Sequence, residues 1–262
     1  MASQPYTKDF YDSLRNGAVR SAEIMVPLVL EVIPARSVVD VGCGDGSWLA
    51  VFRRNGVGDV LGLDGDYIDR ETLQIPRESF RATDLTNPLT IDREFDLAIS
   101  LEVAEHLPPE CAELFVTNLT KLAPAILFSA AIPFQGGTRH VNEQWPEKWA
   151  ALFQQFGYVP VDFIRKRVWR NESVEFWYAQ NTLLFVQSIV AERSHALKEE
   201  LRQTNPGQLS LVHPRQYLAL QAQYSEAIAR AQNPPPPSGV KEASRMLLIC
   251  LRNSLRKRLG LK

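Results

Sequence analysis

Short apolar runs alternate with helical patterns over the first 190 residues of this 262-residue chain. Apolar residues spaced three or four apart predict helices, whereas short continuous apolar runs bounded by Gly, Pro or Asp predict buried strands. Helices are predicted within residues 18–33, 47–56, 108–123 and 143–158. Strands are predicted within residues 35–44, 59–67, 79–88, 94–103, 125–133, 159–169 and 175–186.

The order of these elements predicts an α/β fold with a doubly wound sheet, which has helices on both of its faces. The strands are apolar almost throughout, and this is typical of parallel strands that are buried on both sides. No helical pattern separates the last two strands, so we expect them to be antiparallel. The sheet is therefore predicted to be mostly parallel.

The residues after 190 have a different pattern, which predicts two additions to a domain formed by residues 1–190. Residues 191–233 predict a helical extension in which polar helices flank a loop. The run NPPPPSG then predicts a stiff, extended linker. Residues 234–262 are therefore expected to form a proline-rich linker and a final helix.

Composition and charge exclude some classes of protein. The chain is 45% apolar and has a net charge of −1, which suits a protein with a buried core and argues against one that coats nucleic acid. The three cysteines are far apart in the sequence, so neither a disulfide framework nor a zinc ribbon is expected. The N-terminal residues lack an apolar signal segment, and no apolar stretch is long enough to cross a membrane. A cytoplasmic protein is predicted.

The C-terminal end is basic, in contrast to the acidic remainder of the chain. From Ser238 onward there are seven Lys or Arg and one Glu. Residues 240–262 predict a basic amphipathic helix, which is suited to peripheral contact with an anionic membrane. Packing on its own domain, or on a second subunit of a homo-oligomer, is the other interpretation.

The stretch VVDVGCGDGSW predicts a ligand-binding turn, because its glycines follow a strand and open a helix. Asp64 ends the next strand about 20 residues later, where nucleotide-binding folds carry an acid for the ribose. The spacing GxGxG differs from the dinucleotide fingerprint GxGxxG, since Ser47 replaces its third glycine. The additional acids Asp40 and Asp84 suit a positively charged ligand without phosphates, such as a sulfonium cofactor.

Four motifs in order, VVDVGCGDG, GLDGD, ATDL and FDLAISLEVAEHL, resemble those of class I S-adenosylmethionine-dependent methyltransferases. The resemblance covers roughly residues 20–190 and implies a Rossmann-like, seven-stranded sheet with an antiparallel last strand. It implies the glycine turn at the methionine part of the cofactor, Asp64 at the ribose and Asp84 at the adenine. The cofactor-binding residues that it implies are Asp40, Gly42, Cys43, Gly44, Gly46, Asp64, Gly65, Asp84, Leu85 and Leu101.

A narrower resemblance concerns the acceptor of the methyl group. The stretches FSAAIPFQGGTRHVNEQWPEKWAALFQQFGY and WYAQNTLLFV are similar to a bacterial group of these enzymes associated with polysaccharide and glycoside biosynthesis. This similarity implies O-methylation of a free hydroxyl in a sugar, glycoside or polysaccharide precursor. A phenol or quinone O-methyltransferase and a non-catalytic, cofactor-binding scaffold protein are the alternatives.

The stretch SLEVAEHL places Glu102, Glu105 and His106 where the fourth strand ends, beside the predicted cofactor turn. If the chain coils there, these three residues share one face. One interpretation is that Glu105 and His106 cap the next helix. A second makes His106 a general base that removes a proton from the acceptor hydroxyl, with Glu105 and His140 as further catalytic candidates.

The third interpretation is a site for a divalent metal ion, Mg²⁺, Mn²⁺, Fe²⁺ or Zn²⁺. The pattern Glu-x-x-Glu-His resembles the metal-binding motif of ubiquinone-pathway O-methyltransferases and small-RNA 2′-O-methyltransferases, which implies a further His ligand downstream. His140, in the loop after the fifth strand, is the candidate. The metal ligands expected from this resemblance are Glu102, Glu105, His106 and His140. The acidic body of the chain argues against an RNA substrate.

Overall fold

The structure is a computed structural model that describes residues 8–232 and 239–258. The strands are β1 (Ser37–Val41), β2 (Asp59–Asp64), β3 (Phe80–Ala82), β4 (Leu97–Leu101), β5 (Ala125–Ser129), β6 (Tyr158–Val161) and β7 (Leu183–Gln187). The helices are α1 (Lys8–Val32), α2 (Ser47–Arg54), α3 (Ala112–Leu122), α4 (Pro146–Gln155), α5 (Ile164–Val168), α6 (Phe176–Asn181), α7 (Ser188–Arg193), α8 (His195–Arg202), α9 (Pro214–Gln232) and α10 (Val240–Arg258).

The seven strands form a single sheet in the order β3-β2-β1-β4-β5-β7-β6. The strands are parallel except β7, which pairs antiparallel with both β5 and β6. This arrangement confirms the predicted seven-stranded sheet with its antiparallel last strand. The chain reverses its direction of winding between β1 and β4, and ligands bind at such a switch point in doubly wound folds.

Helices cover both faces of the sheet, so each strand contributes side chains to two separate parts of the core. Along β1, Val38 packs into the cluster formed with α1 and α2, whereas Val39 packs into the cluster formed with α3 and α4. In β4, Leu97 packs into the first of these clusters and Ala98 into the second. This burial on both faces explains why these strands are apolar without alternation.

Two segments expected to be strands throughout are in fact partly helical, which corrects the prediction. Residues 159–169 continue from β6 into α5, and residues 175–186 begin with α6 before β7. Both helices are short, at five and six residues, and too short to produce a recognisable helical period. The helix predicted after residue 190 is also divided in two at Ser194, whose hydroxyl accepts a hydrogen bond from the first turn of α8.

The chain divides into two compact units, Met1–Tyr217 and Leu218–Lys262. Within the first unit, the buried guanidinium of Arg165 pairs with Asp162 and donates to the carbonyls of Gln180 and Leu209. These bonds attach the segment after α8 to α5 and α6. The domain boundaries expected at residues 190 and 233 stay predictions, and the core of the proline-rich linker lies outside the described residues.

Within residues 8–232 and 239–258, no helix combines the length and apolar character needed to cross a bilayer. All three cysteines, Cys43, Cys111 and Cys250, are free.

Candidate active site

The glycine turn joins β1 to α2 and packs directly against the loop that follows β4. The N–H of Gly42 donates to the carbonyl of Leu63, which ties the turn to β2. Gly42 has φ of 90°, and a Cβ atom there would lie 2.4 Å from the side chain of Val103. No other residue type fits this approach without displacing Val103. The predicted cofactor turn and the SLEVAEHL stretch are therefore neighbours in space.

Asp64 lies beside this turn, as its predicted ribose-binding role requires. One carboxylate oxygen accepts a hydrogen bond from the N–H of Gly44 at 2.7 Å. The other accepts from the N–H of Gly65 at 2.7 Å and from the Tyr67 hydroxyl at 2.6 Å. The sequence does not single out Tyr67. A ribose bound by Asp64 has to share the carboxylate with the Tyr67 hydroxyl or displace it.

The other acid of the first strand, Asp40, is buried beneath the turn. Burial raises the pKa of Asp40 well above its usual range, and the nearby charges of Asp64 and Asp45 raise it further. Cys43 is also buried, and its thiol pKa is raised chiefly by desolvation. Three carboxylates around one turn create a site that favours a cation.

The residues expected near the adenine and at the end of β4 differ in their exposure to solvent. Leu85 and Leu101 are both buried, at 9% and 8% exposure. Asp84 is exposed, and its carboxylate accepts hydrogen bonds from Thr86 and Asn87 within its own turn. These bonds lower the pKa of Asp84, with the Thr86 hydroxyl making the largest contribution.

Glu102 directly follows β4 and has a left-handed conformation, with φ of 57°. Its carboxylate accepts hydrogen bonds from the side chains of Asn181, at 3.0 Å, and Gln135, at 2.9 Å. Burial raises the pKa of Glu102. Sequence reasoning missed Asn181 and Gln135, although both lie in the stretches that resemble the glycoside-associated group. Their role depends on proximity in space, which the order of residues does not reveal.

Glu105, His106 and His140 form a compact group with one potential ligand atom each, all within 4.8 Å of one another. Glu105 is 0% exposed, and neither of its carboxylate oxygens has a hydrogen-bond partner. Burial raises the pKa of Glu105 well above its usual range, and the Glu102 side chain adds to this. The nearby backbone N–H groups of Glu105 and Ala131 partly offset the rise, although neither forms a hydrogen bond of normal geometry with the carboxylate. Burial lowers the pKa of His106, and the neighbouring His140 lowers it further. Glu102 lies outside this group of three, although its carboxylate is close enough to Glu105 to raise the Glu105 pKa.

The loop between β5 and α4 brings His140 to Glu105. The N–H groups of Val141 and Asn142 both donate to the backbone carbonyl of Glu105, at 2.9 and 3.0 Å. The rings of His106 and His140 have centroids 4.8 Å apart. His140 therefore reaches Glu105 and His106 as predicted. The capping interpretation is wrong for both Glu105 and His106, because no side chain caps α3 or the short helical turn Pro109–Cys111 that precedes it.

The family of the chain follows from comparison with known proteins. Residues 18–171 match the family model described as a methyltransferase domain, and this segment contains both the glycine turn and the Glu105 group. The chain belongs to this methyltransferase family. No curated protein sequence matches this methyltransferase. The predicted class of enzyme, an S-adenosylmethionine-dependent methyltransferase, is confirmed.

Solved structures with a similar fold come from methyltransferases with different acceptors. A sugar N-methyltransferase from Streptoalloteichus is 15% identical, with a TM-score of 0.53 over 71% of this chain and 95% of that one. Magnesium protoporphyrin IX methyltransferase from Synechocystis, with bound S-adenosylmethionine, is 21% identical, with a TM-score of 0.50 over 71% and 87%. An O-methyltransferase family protein from Burkholderia thailandensis is 17% identical, with a TM-score of 0.49; the alignment covers 67% of this chain but 58% of that protein. At these identities the likeness to the first two structures establishes the fold, and not the acceptor.

Proposed function

We propose that this methyltransferase transfers the methyl group of S-adenosylmethionine to a hydroxyl of a sugar, glycoside or polysaccharide precursor, with the assistance of a divalent cation. The observation that carries the proposal is the buried, unpartnered carboxylate of Glu105, within 4.8 Å of ligand atoms of His106 and His140. A buried carboxylate without a partner is costly, and a cation in contact with it removes the cost. The residues present therefore fit a metal ion.

The proposed ligands are Glu105, His106 and His140, with Glu102 as the fourth residue of the predicted set. Two imidazoles and a carboxylate suit Mn²⁺, Fe²⁺ or Zn²⁺ better than Mg²⁺, which prefers oxygen ligands and retains water. When bound, such an ion acidifies a coordinated hydroxyl, as it does water, and so favours loss of its proton. Asn181 and Gln135 hold Glu102 in place and fix its orientation toward Glu105.

The remaining chemistry is assigned to the cofactor and the turn that holds it. S-adenosylmethionine supplies a methyl group on a positively charged sulfur, so the transfer is direct and needs no covalent enzyme intermediate. The turn from Gly42 to Gly46 and the acids Asp40 and Asp64 are proposed to bind and orient the cofactor. His106 is the alternative proton acceptor without a metal, because its lowered pKa keeps the imidazole neutral near pH 7.

The proposed function predicts metal-dependent transfer to glycosides. We expect the full chain to transfer a labelled methyl group from S-adenosylmethionine to one or more members of a panel of sugars and glycosides. The transfer should be lost after treatment with a chelator and restored by Mn²⁺, Fe²⁺ or Zn²⁺. Methylation of catechols and quinols alone would support the phenol-type alternative. Binding of S-adenosylhomocysteine without transfer to any acceptor would support a non-catalytic protein.

The basic C-terminal helix is proposed to contact an anionic membrane surface. In α10, the apolar side chains of Leu247, Leu248 and Leu251 are exposed at 63%, 67% and 52%, next to exposed basic residues such as Arg245 and Arg252. Apolar and cationic side chains on one exposed helix complement the interior and headgroups of an anionic bilayer. Such contact suits an enzyme that acts on a lipid-linked or membrane-assembled glycan.

A vesicle experiment tests this contact. We expect the full chain to sediment with vesicles that contain phosphatidylglycerol, but not with vesicles of phosphatidylcholine alone, and to be released by high salt. The double variant Leu247→Asp and Leu251→Asp should not sediment, whereas the α9 variant Ile228→Asp should behave like the wild type. Equal sedimentation of the double variant would refute the membrane contact. A change of oligomeric state in the double variant would support the subunit interface instead.

A further inference from the structure

Three non-glycine residues in the described ranges have a left-handed backbone, and all three lie in the two loops of the candidate active site. They are Glu102, Phe134 and Arg139, with φ of 57°, 67° and 61°. This conformation is unfavourable for a residue with a Cβ atom, so it persists only where the surrounding structure holds it. Glu102 belongs to the proposed metal site, and Arg139 directly precedes His140. Phe134 is the residue whose strain the proposed function does not explain.

Hydrogen bonds hold the backbone of Phe134 on both sides. Its N–H donates to one carboxylate oxygen of Glu143 at 2.7 Å, and its carbonyl accepts from the buried side chain of Gln216 at 2.8 Å. The other oxygen of Glu143 interacts with Nδ1 of His140 at 3.0 Å and accepts from the N–H of Gly136. A single carboxylate therefore positions both Phe134 and a proposed metal ligand.

Phe134 is 76% exposed, although hydrogen bonds fix its backbone. An aromatic ring in this position adds little buried area, so the fold gains almost nothing from it. Val141, whose N–H binds the carbonyl of Glu105, is likewise 57% exposed. The next residue after Phe134, Gln135, donates to Glu102. The exposed apolar residues Phe134 and Val141 thus lie in the same loop segments as the residues that contact Glu102 and Glu105.

We propose that Phe134 is an acceptor-binding residue whose ring contacts the apolar face of a ring in the acceptor. This inference rests on the proposed function and adds a requirement to it: the hydroxyl that is methylated belongs to, or adjoins, a ring with an apolar C–H or aromatic face. Both a pyranose and an aromatic ring have such a face, and aromatic side chains bind them by stacking. The hydrogen bonds from Gln216 and to Glu143 keep the Phe134 backbone in one conformation, so little backbone freedom is lost when the acceptor binds.

Direct binding measurements test the proposal without requiring turnover. Methyl β-glucoside and catechol are the probes, titrated by NMR against the full chain saturated with S-adenosylhomocysteine. We expect Phe134→Gly to raise the Kd of the preferred probe by about tenfold, and Phe134→Tyr to leave it near the wild-type value. The glycine variant should unfold at the same or a higher temperature, because glycine favours a φ of 67°. Phe156→Ala, at the opposite end of α4, is the matched control and should change neither probe's Kd.

The outcomes separate this inference from the function on which it rests. An equal Kd for Phe134→Gly and the wild type, or no saturable binding of either probe, overturns the acceptor subsite. Methyl transfer with a KM that is unaffected by Phe134→Gly also overturns it, while the proposed function survives. Binding that depends on Phe134, without transfer to any acceptor, supports the subsite and contradicts the proposed function. Preference for the glucoside or for catechol decides between a sugar and an aromatic ring.

Discussion

Replacing Glu105 by glutamine is expected to reduce methyl transfer by about 10²- to 10⁴-fold while making the metal-free protein more stable. The two effects have opposite signs because the Glu105 carboxylate is buried and unpartnered. In the absence of a cation, such a group costs the folded state free energy, either by remaining charged or by taking up a proton. A neutral amide of similar shape removes most of that cost.

Calorimetry and thermal unfolding measure both effects. In chelator, a gain of about 1 kcal/mol corresponds to a rise in Tm of about 2–4 °C for a domain of this size. Addition of Mn²⁺ or Zn²⁺ should stabilise the wild type by mass action and leave the Glu105→Gln variant almost unchanged. Glu110→Gln, an exposed acid five residues further along the same loop, is the control. A Glu105→Gln variant that keeps its activity and binds the metal normally would exclude the proposed site.

Much of the fold follows from local pattern, because burial on both faces leaves a direct mark on the sequence. Val38 and Val39 face different halves of the core, so their strand shows no alternation and its assignment is secure. The helices α5 and α6 leave no comparable mark. They are only one or two turns long, and the residues that they bury, such as Ile164 and Tyr178, are equally typical of strands.

Residues of the candidate site could be predicted from their own pattern only where they lie together in one short stretch of sequence. Glu105 and His106 are adjacent in sequence, and His140 follows from the resemblance to metal-binding families. Asn181 and Gln135, which hold Glu102, are 79 and 33 residues away from it along the chain. Their amide side chains carry no signal by themselves, since amides are usually found on the surface. Only the packing of β7 against β5 brings Asn181 to this position.

The role of Glu143 is a further feature that could not be predicted from the sequence. Its carboxylate accepts bonds from the backbone of Phe134 and Gly136 and interacts with the ring of His140. Phe134 and Gly136 both have a left-handed backbone where they make these bonds, and the sequence does not predict that conformation for a phenylalanine. Carboxylates that bind the second nitrogen of a metal-ligating histidine fix its orientation. We propose this role for Glu143 at His140.

Replacing Gly44 by alanine is expected to weaken binding of S-adenosylhomocysteine by about 100-fold, which corresponds to about 2.7 kcal/mol. Gly44 lies at the centre of the turn, and its N–H donates to Asp64. A Cβ atom at Gly44 meets no atom of the chain within 4 Å, so a methyl group there projects into the open space above the turn. If the cofactor occupies that space, the methyl group collides with it and the turn no longer allows the close approach of a ligand.

A matched variant separates this collision from loss of stability. Gly56, which follows α2, also has a positive φ, at 93° against 53° for Gly44, and an equally open Cβ position. Alanine costs the folded state about 1–2 kcal/mol in a left-handed conformation, so both variants should unfold at similarly lowered temperatures. We expect only Gly44→Ala to lose affinity in a calorimetric titration with S-adenosylhomocysteine. Equal affinity of the two variants would place the cofactor elsewhere than over the glycine turn, whatever their stabilities.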